Sequence, residues 1–371
     1  MEGNIQSGFI RMNELDAARA DISRIDEQMA RLFEERMQAV RQVAAYKKER
    51  GLPVRDPARE EALMARCRGL IRDPAVEAEY VEFLRQVIGV SCRFQESLIH
   101  GRRAAYCGVE GAYAHIAARQ LFPEAQCVGY ESFERAYRAV EEGECDCAVL
   151  PLENSYAGEV GTVMDLLFTG SLFINQVMDL PIRHGLMACP GTDIGRIRRV
   201  YSHSQALRQC AAFIHSHGWE TVECANTAVA ARQVRELNDP AAAAIASEET
   251  AELYGLQLLE GRINDAANNT TRFAVLSRSQ NRPVRTGVRD NAGFILVFTV
   301  QNRAGALAQT LNIIGAHGYN MKTLRSRPMK DLQWNYYFYI EAEGNVANEN
   351  GEMLLRELGA LCARLKLVGI Y

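Results

Sequence analysis

What the chain lacks narrows its function before any motif is weighed. No apolar run among its 371 residues reaches the length of a membrane span. Neither charge dominates: 42 Lys and Arg stand against 46 Asp and Glu, a net charge of −4, which argues against nucleic acid as the main partner. The segment Met1-Glu2-Gly3-Asn4 has no basic head followed by an apolar stretch, so no secretory signal is expected. Ten cysteines are scattered, and Cys145-Asp146-Cys147 has no second pair at metal-ligand spacing. Reduced thiols in a cytoplasmic protein, with no metal site, are therefore expected. What remains is a soluble composition, 48% hydrophobic and 24% charged, in a chain long enough for two or three domains.

The first hundred residues read as helices. Leu15, Ala18, Ile22, Ile25, Met29, Leu32, Arg36, Val40, Val43 and Lys47 follow one another at spacings of three or four, the period of one helix face over residues 14–50. Two cations thus interrupt an apolar stripe. Arg36 and Lys47 lie eleven positions apart, which at about 100° per residue leaves them only about 20° apart around the axis. A buried cation needs an anion. A carboxylate on a neighbouring helix, or a side chain that snorkels to the edge, meets that need structurally; two cations on one seam favour an anionic ligand. Arg19 points roughly 80° to 100° away and suits a different site, such as one across a dimer axis. Gly51 and Pro53 stop the helix, and Asp56-Pro57 and Asp73-Pro74 each cap a further one, the second running to about His100. Arg59 and Glu60 fall in the first turns of the second helix, and Ser91 and Gln95 share a face of the third. These helices are too elongated to enclose a core alone, so a dimer is expected.

Beyond Gly101-Arg102-Arg103 the pattern changes to short apolar strands alternating with helices, which predicts a mainly parallel sheet. Ala148 to Leu150 reads as a buried strand, ended by Pro151 for want of an N–H. A carboxylate, an amide and a hydroxyl follow at Glu153, Asn154 and Ser155. Ser202-His203-Ser204-Gln205, with Gln209 one turn on, forms a second polar set, and Asn268 to Arg272 a third. Polar sets at three strand ends predict two lobes around a cleft, where open α/β sheets place ligands. Residues 278–292 read as a linker, and the remainder follows a βαββαβ order suited to ligand sensing or subunit pairing.

Together these residues resemble the bifunctional chorismate mutase–prephenate dehydratase (P-protein) family of phenylalanine biosynthesis, over almost the whole chain and in that family's domain order. The marks are Arg19, Arg36, Lys47, Pro53-Val54-Arg55-Asp56 and Arg59-Glu60, then Pro151-Leu152-Glu153-Asn154-Ser155, Thr271-Arg272-Phe273 and Gly305-Ala306-Leu307. The resemblance implies a multidomain protein. An all-α helical mutase would occupy 10–101 and a two-lobed α/β dehydratase like a periplasmic binding protein 103–279. A linker over 280–292 would lead to an α+β ferredoxin-like ACT regulatory domain over 293–371.

The same resemblance assigns roles. Chorismate would meet Arg36 and, from the partner chain, Arg19 at its carboxylates, Lys47 and Gln95 at its ether oxygen, and Asp56, Arg59, Glu60 and Ser91 elsewhere. Prephenate would meet Glu153, Asn154, Ser155, Ser202, His203, Gln209 and Arg272, with Thr271 as the proton donor. Phenylalanine is the effector implied, at Gly305, Ala306, Leu307, Arg325, Ser326, Arg327 and Pro328. No cofactor, nucleic acid or membrane is implied, and the protein would be a homodimer or larger. Four positions depart from the family pattern: Val109 for proline, Ala114 for serine, Ser204 for proline, and Arg325 where Glu-Ser-Arg-Pro usually begins. Two rivals stand beside this reading. A prephenate decarboxylase that keeps the hydroxyl is opposed by Thr271-Arg272-Phe273, and a solute-binding or amino-acid-sensing protein is opposed by the fused cationic helices.

Overall fold

The computed structural model describes residues 3–266, 268–280, 293–329 and 335–371, residues 3–13 by backbone only. The expected linker therefore lies outside the described residues except for Arg278, Ser279 and Gln280. The chain divides into two compact units, Met1–Arg102 and Arg103–Tyr371.

The first unit is three helices. The long apolar period produces α1 (Gly3–Arg50). Asp56 caps α2 (Pro57–Arg68), its carboxylate accepting from the Arg59 amide at 3.1 Å. Asp73 caps a 3-10 turn (Pro74–Val76) that leads into α3 (Glu77–His100). The two halves of α1 have different surroundings. Val40 and Ala44, in the half packed on α3, are buried. Leu15, Ile22, Ile25, Met29, Leu32 and Phe33 are exposed, Leu32 at 63% and Ile22 at 59%. An apolar stripe of this size left in water is unusual for a finished surface.

The second unit begins with a lobe of β1 (Arg103–Cys107), α4 (Tyr113–Leu121), β2 (Gln126–Tyr130), α5 (Phe133–Glu141), β3 (Cys147–Asn154), β4 (Gly158–Glu159), α6 (Gly161–Thr169) and β5 (Phe173–Pro181). A second lobe follows: β6 (Gly185–Ala188), β7 (Arg199–Ser202), α7 (Ser204–Gln209), α8 (Ala211–His217), β8 (Glu220–Glu223), α9 (Thr227–Leu237), β9 (Ala242–Ala246), α10 (Glu248–Leu253) and β10 (Gln257–Glu260). The chain then returns to the first lobe through β11 (Thr270–Ser277). The expected lobes form, but neither sheet is mainly parallel. In the first, β1, β2 and β3 run parallel, while β11 enters antiparallel between β3 and β5 because it arrives from the other lobe. In the second, β7, β8 and β9 are parallel and β6 and β10 antiparallel.

Pro151 does not end its strand. It pairs with Phe273 beside a register shift at which Leu152 of β3 is the extra residue, so β3 runs on to Asn154. A bulge is one of the few places where a sheet tolerates a residue without an N–H.

The C-terminal segment has the expected βαββαβ order: β12 (Gly293–Thr299), α11 (Ala306–Ala316), β13 (Asn320–Pro328), β14 (Tyr336–Glu343), α12 (Glu349–Leu361) and β15 (Arg364–Ile370). Its sheet order, β13-β14-β12-β15, is continued into the first lobe by a parallel pairing of β15 with β5 at Gly369 and Ile174. A Cβ on Gly369 would lie 2.5 Å from the Ile174 carbonyl oxygen, so only glycine allows that approach. Lys366 fastens the same edge, donating to the carbonyls of Leu167, Gly170 and Leu172 at 3.2, 2.6 and 3.3 Å. The sheet uses both faces. Phe294, Leu296 and Phe298 form a core with Ile314 of α11 and Leu354 of α12, whereas Ile295, Val297, Tyr337 and Tyr339 join the first lobe's core with Leu150, Leu167 and Phe168.

Candidate active sites

In the helical unit, packing of α1 on α3 gathers Arg36, Ser91 and Gln95. Arg36 Nη1 donates to Ser91 Oγ, which itself donates to the Val87 carbonyl at 2.8 Å. Gln95 Nε2 donates to the Ser91 carbonyl at 3.3 Å, and its buried Oε1 has no partner. Lys47 Nζ donates to the Val54 carbonyl, which ties the α1 end to the turn before α2. Glu60 reaches inward and accepts from the Cys92 thiol at 3.8 Å; burial, then Glu60, pushes that thiol's pKa up. Asp56 caps α2, and Arg59 is exposed. Arg19 lies seventeen positions before Arg36, which is about 25 Å along a helix. It is exposed, with Asp16 at 3.7 Å beside it.

In the α/β unit the two strands that carry the polar sets, β3 and β11, are neighbours, and Thr271 pairs with Asn154. Asn154 is the knot of the site. Its Oδ1 accepts from the amides of Tyr156 at 3.0 Å and Ala157 at 2.9 Å. Those two donors fix which end of the carboxamide is oxygen. Nδ2 is then turned toward Thr271 Oγ1 and Asn269 Oδ1, each at 2.9 Å. Asn269, 3% exposed, must present its oxygen to Asn154, and its own Nδ2 is left buried without a partner among the described residues. Ser155 closes the loop, accepting from the Thr270 amide at 3.0 Å and donating to the Asn268 carbonyl at 3.2 Å.

The second lobe brings Gln205, whose Nε2 reaches Asn154 Oδ1 at 3.4 Å, and Gln209, whose Oε1 lies 3.0 Å from His184 Nε2. Between these groups is a cavity of about 410 Å³, lined among others by Tyr156, Gln205, Arg208, Gln209, Asp265 and Asn269. His184 is 2% exposed, and its Nδ1 lies 3.1 Å from the Tyr113 hydroxyl. Burial lowers its pKa, opposed by the Gln209 bond, and burial raises that of Tyr113 well above the ordinary phenol range. Around it the two strands that cross between lobes are laced together: the His184 amide donates to Asn264 Oδ1 at 2.7 Å and the Ile263 amide to the His184 carbonyl at 2.9 Å.

Several expected site residues are committed elsewhere. Ser202 is fully buried and donates to the Ile245 carbonyl at 2.6 Å inside the second sheet. His203 caps α7, its Nδ1 accepting from the Gln205 amide at 3.3 Å. Arg272 turns from the cleft. Its Nε and Nη2 bond Asp179 at 2.8 and 3.1 Å, its Nη1 bonds Glu341 at 3.0 Å, and the arginine holds the Asp179 pKa below the usual carboxylate range. Arg325 and Arg327 bond first-lobe carboxylates, and their partners across the sheet are Tyr339 and Tyr337, on the face opposite α11. Within one chain they therefore do not share a surface with Gly305-Ala306-Leu307. Gln205, Arg208, Asn269 and His184 were not singled out as site residues. Gln205 and Asn269 lie inside polar sets already noted, Arg208 is one helical turn from Gln205, and nothing local marks His184.

A three-helix unit with a cationic seam and a two-lobed unit with a polar cleft define a chain that carries two enzyme domains. The family model for chorismate mutase type II matches residues 18–96, and that for prephenate dehydratase matches residues 104–281. The bifunctional chorismate mutase/prephenate dehydratase of Enterobacter agglomerans is 34% identical over 97% of this chain and 96% of its own length. Among solved structures, GqqA, described as a novel type of quorum quenching acylase, is similar at 32% identity and a TM-score of 0.68, covering 73% of this chain and 97% of that one. The prephenate dehydratase of Arthrobacter aurescens, in complex with L-Phe, has 28% identity and a TM-score of 0.67, covering 72% of this chain and 89% of that one. The chain belongs to the bifunctional chorismate mutase/prephenate dehydratase family.

Proposed function

We propose that the helical unit rearranges chorismate to prephenate at Arg36, Lys47 and Gln95, and that the cleft of the α/β unit converts prephenate to phenylpyruvate with Thr271 as proton donor. The observation that carries the second half is the fixed carboxamide of Asn154. Because Asn154 Nδ2 donates to Thr271 Oγ1, the threonine's own hydrogen is free for an incoming acceptor. The same donor stabilises negative charge on Oγ1 as that hydrogen leaves. Loss of the carboxylate as CO2 pushes an electron pair into the ring. The ring hydroxyl departs with the Thr271 proton as water, and solvent reprotonates the threonine. Asn269, which bonds the Asn154 carboxamide beside Thr271, and Arg208 line the cavity and offer donors to the carboxylates of a dianionic substrate.

The mutase step is pericyclic, so the protein orients the substrate and stabilises the charge that grows on the ether oxygen. Half-buried Arg36 and Lys47 supply cations on one seam. Gln95 keeps one Nε2 hydrogen on the Ser91 carbonyl and has a second to donate to that oxygen. Arg19 from a second copy completes the site, with the exposed stripe of α1 as the surface between copies. The C-terminal domain senses phenylalanine; the start of α11, behind Gly305, carries no side-chain cap, which suits a carboxylate.

The test is a coupled assay of the purified protein. Chorismate alone should yield phenylpyruvate, read by its ultraviolet absorbance, with prephenate as the intermediate. Accumulation of prephenate would refute the dehydratase reading, and inert chorismate with active prephenate the mutase reading.

A further inference from the structure

The strand β3 and its hairpin partner β4 place Glu153 directly opposite Glu159. Two carboxylates in register across an antiparallel pair repel and destabilise the pairing. That hairpin holds Asn154, which aims at Thr271, and Tyr156 and Ala157, which line the cavity. Its charge is answered from the C-terminal domain. Arg325 Nη2 pairs with Glu153 Oε1 while its Nε lies 3.8 Å from Glu159, and Arg327 bonds Glu159 at 2.5 Å and Asp165 at 3.0 Å. The Tyr337 hydroxyl donates to Asp165 at 2.7 Å, and a Cβ on Gly161 would lie 2.6 Å from the Arg327 guanidinium, so the clamp is seated in a fitted slot. Opposite Glu153 on β11, Arg272 is gripped in the reverse sense by Glu341 of β14.

We propose that Arg325 is a positioning residue of the dehydratase: by neutralising Glu153 against Glu159 it keeps the β3–β4 hairpin closed and Asn154 directed at Thr271. The C-terminal domain thus supplies part of the support of the cleft, besides any ligand it senses. Loss of Arg325 leaves two facing carboxylates in the hairpin that carries Asn154. A splayed hairpin lowers prephenate turnover. The proposal rests on the reading of the cleft as the dehydratase site.

Prephenate kinetics of Arg325→Gln, Arg325→Lys and the double variant Arg325→Gln/Glu159→Gln test it, with chorismate mutase turnover as the check on folding. Arg325→Gln should lower kcat/KM for prephenate at least tenfold with mutase turnover unchanged. Arg325→Lys should recover most of the loss. Adding Glu159→Gln should restore activity, because it removes the repulsion that Arg325 offsets; a merely structural arginine would give a double variant no better than the single. An Arg325→Gln enzyme within twofold of wild type, or a double variant no better than the single, overturns the clamp. Thr271→Val separates this from the underlying reading. If it abolishes prephenate turnover while Arg325→Gln does nothing, only the clamp fails; if it leaves turnover intact, the cleft reading and the clamp fall together.

Discussion

In the α/β unit the cleft groups answer one another within a single chain: Asn154 holds Thr271 and Asn269, Gln209 holds His184, and Arg325 answers Glu153. In the helical unit one chain leaves the corresponding work undone. Leu15, Ile22, Ile25, Met29, Leu32 and Phe33 of α1 face solvent, and among the described residues Arg19 has only a long contact to Asp16 and the buried Gln95 Oε1 has no partner. The difference follows from architecture. Two lobes laid across a sheet enclose a cleft by themselves, whereas three long helices have more apolar stripe than they can cover. One activity should therefore depend on assembly, and the other should not.

The sharpest way to separate the two sites is to remove one group from each. Thr271→Val deletes the hydroxyl and keeps the volume; prephenate conversion should fall by about 10²–10⁴-fold, the usual worth of a positioned proton donor. Mutase turnover of the same protein should not change. Phenylpyruvate formation within a few-fold of wild type would remove Thr271 from its role. Arg36→Ala or Lys47→Ala should do the reverse, lowering chorismate turnover by about 10²–10³-fold, or roughly 3–4 kcal/mol, with prephenate conversion intact. Separate assays with each substrate decide this, and near-normal chorismate turnover in both variants would dissolve the mutase assignment.

The contrast extends to what was legible beforehand. The helices were readable because Asp56-Pro57 and Asp73-Pro74 are local cap signals and the apolar period of α1 is long. The lobes and the βαββαβ order were readable from alternation alone. The error at Pro151 came from treating a missing N–H as a strand end, when a bulge at Leu152 in β3 absorbs it. Residue type identified Asn154 and Thr271, but not that Ser202 and His203, in an equally polar set, spend their side chains on a sheet carbonyl and a helix cap. The contacts of Arg325 were hidden for a related reason. Strand alternation puts it on the face away from α11, and which face meets the first lobe is a tertiary fact that no local pattern carries.

A milder perturbation addresses the assembly half of the contrast. Ile22→Glu or Leu32→Glu puts a carboxylate on the exposed stripe without touching a proposed catalytic group. Each should raise the protein concentration needed for half-maximal mutase activity by on the order of tenfold, the effect of about 1.4 kcal/mol at an interface. Sedimentation should show a smaller species at the same dilution, with prephenate conversion constant. Mutase activity independent of concentration in both variants would mean that one chain suffices.

The smallest expected effect concerns acid and the hinge. His184 is buried between Tyr113 and Gln209, and burial lowers its pKa below the ordinary 6.5. As pH falls past 6.5 the unfolded chain therefore takes up this proton before the folded chain does. Stability is whole above about 6.5 and declines as pH drops toward the lower folded value. His115, bonded to the Gly111 amide and likewise lowered by burial, adds a slope of the same sign. His184→Gln cannot charge, so its denaturation midpoint should change less between pH 7.5 and 5.5 than that of wild type, while the slope from His115 persists in both. Urea melts of the full chain at closely spaced pH values measure the difference. Parallel curves for the two proteins would show that His184 titrates alike folded and unfolded, and that the hinge between the lobes is open to water.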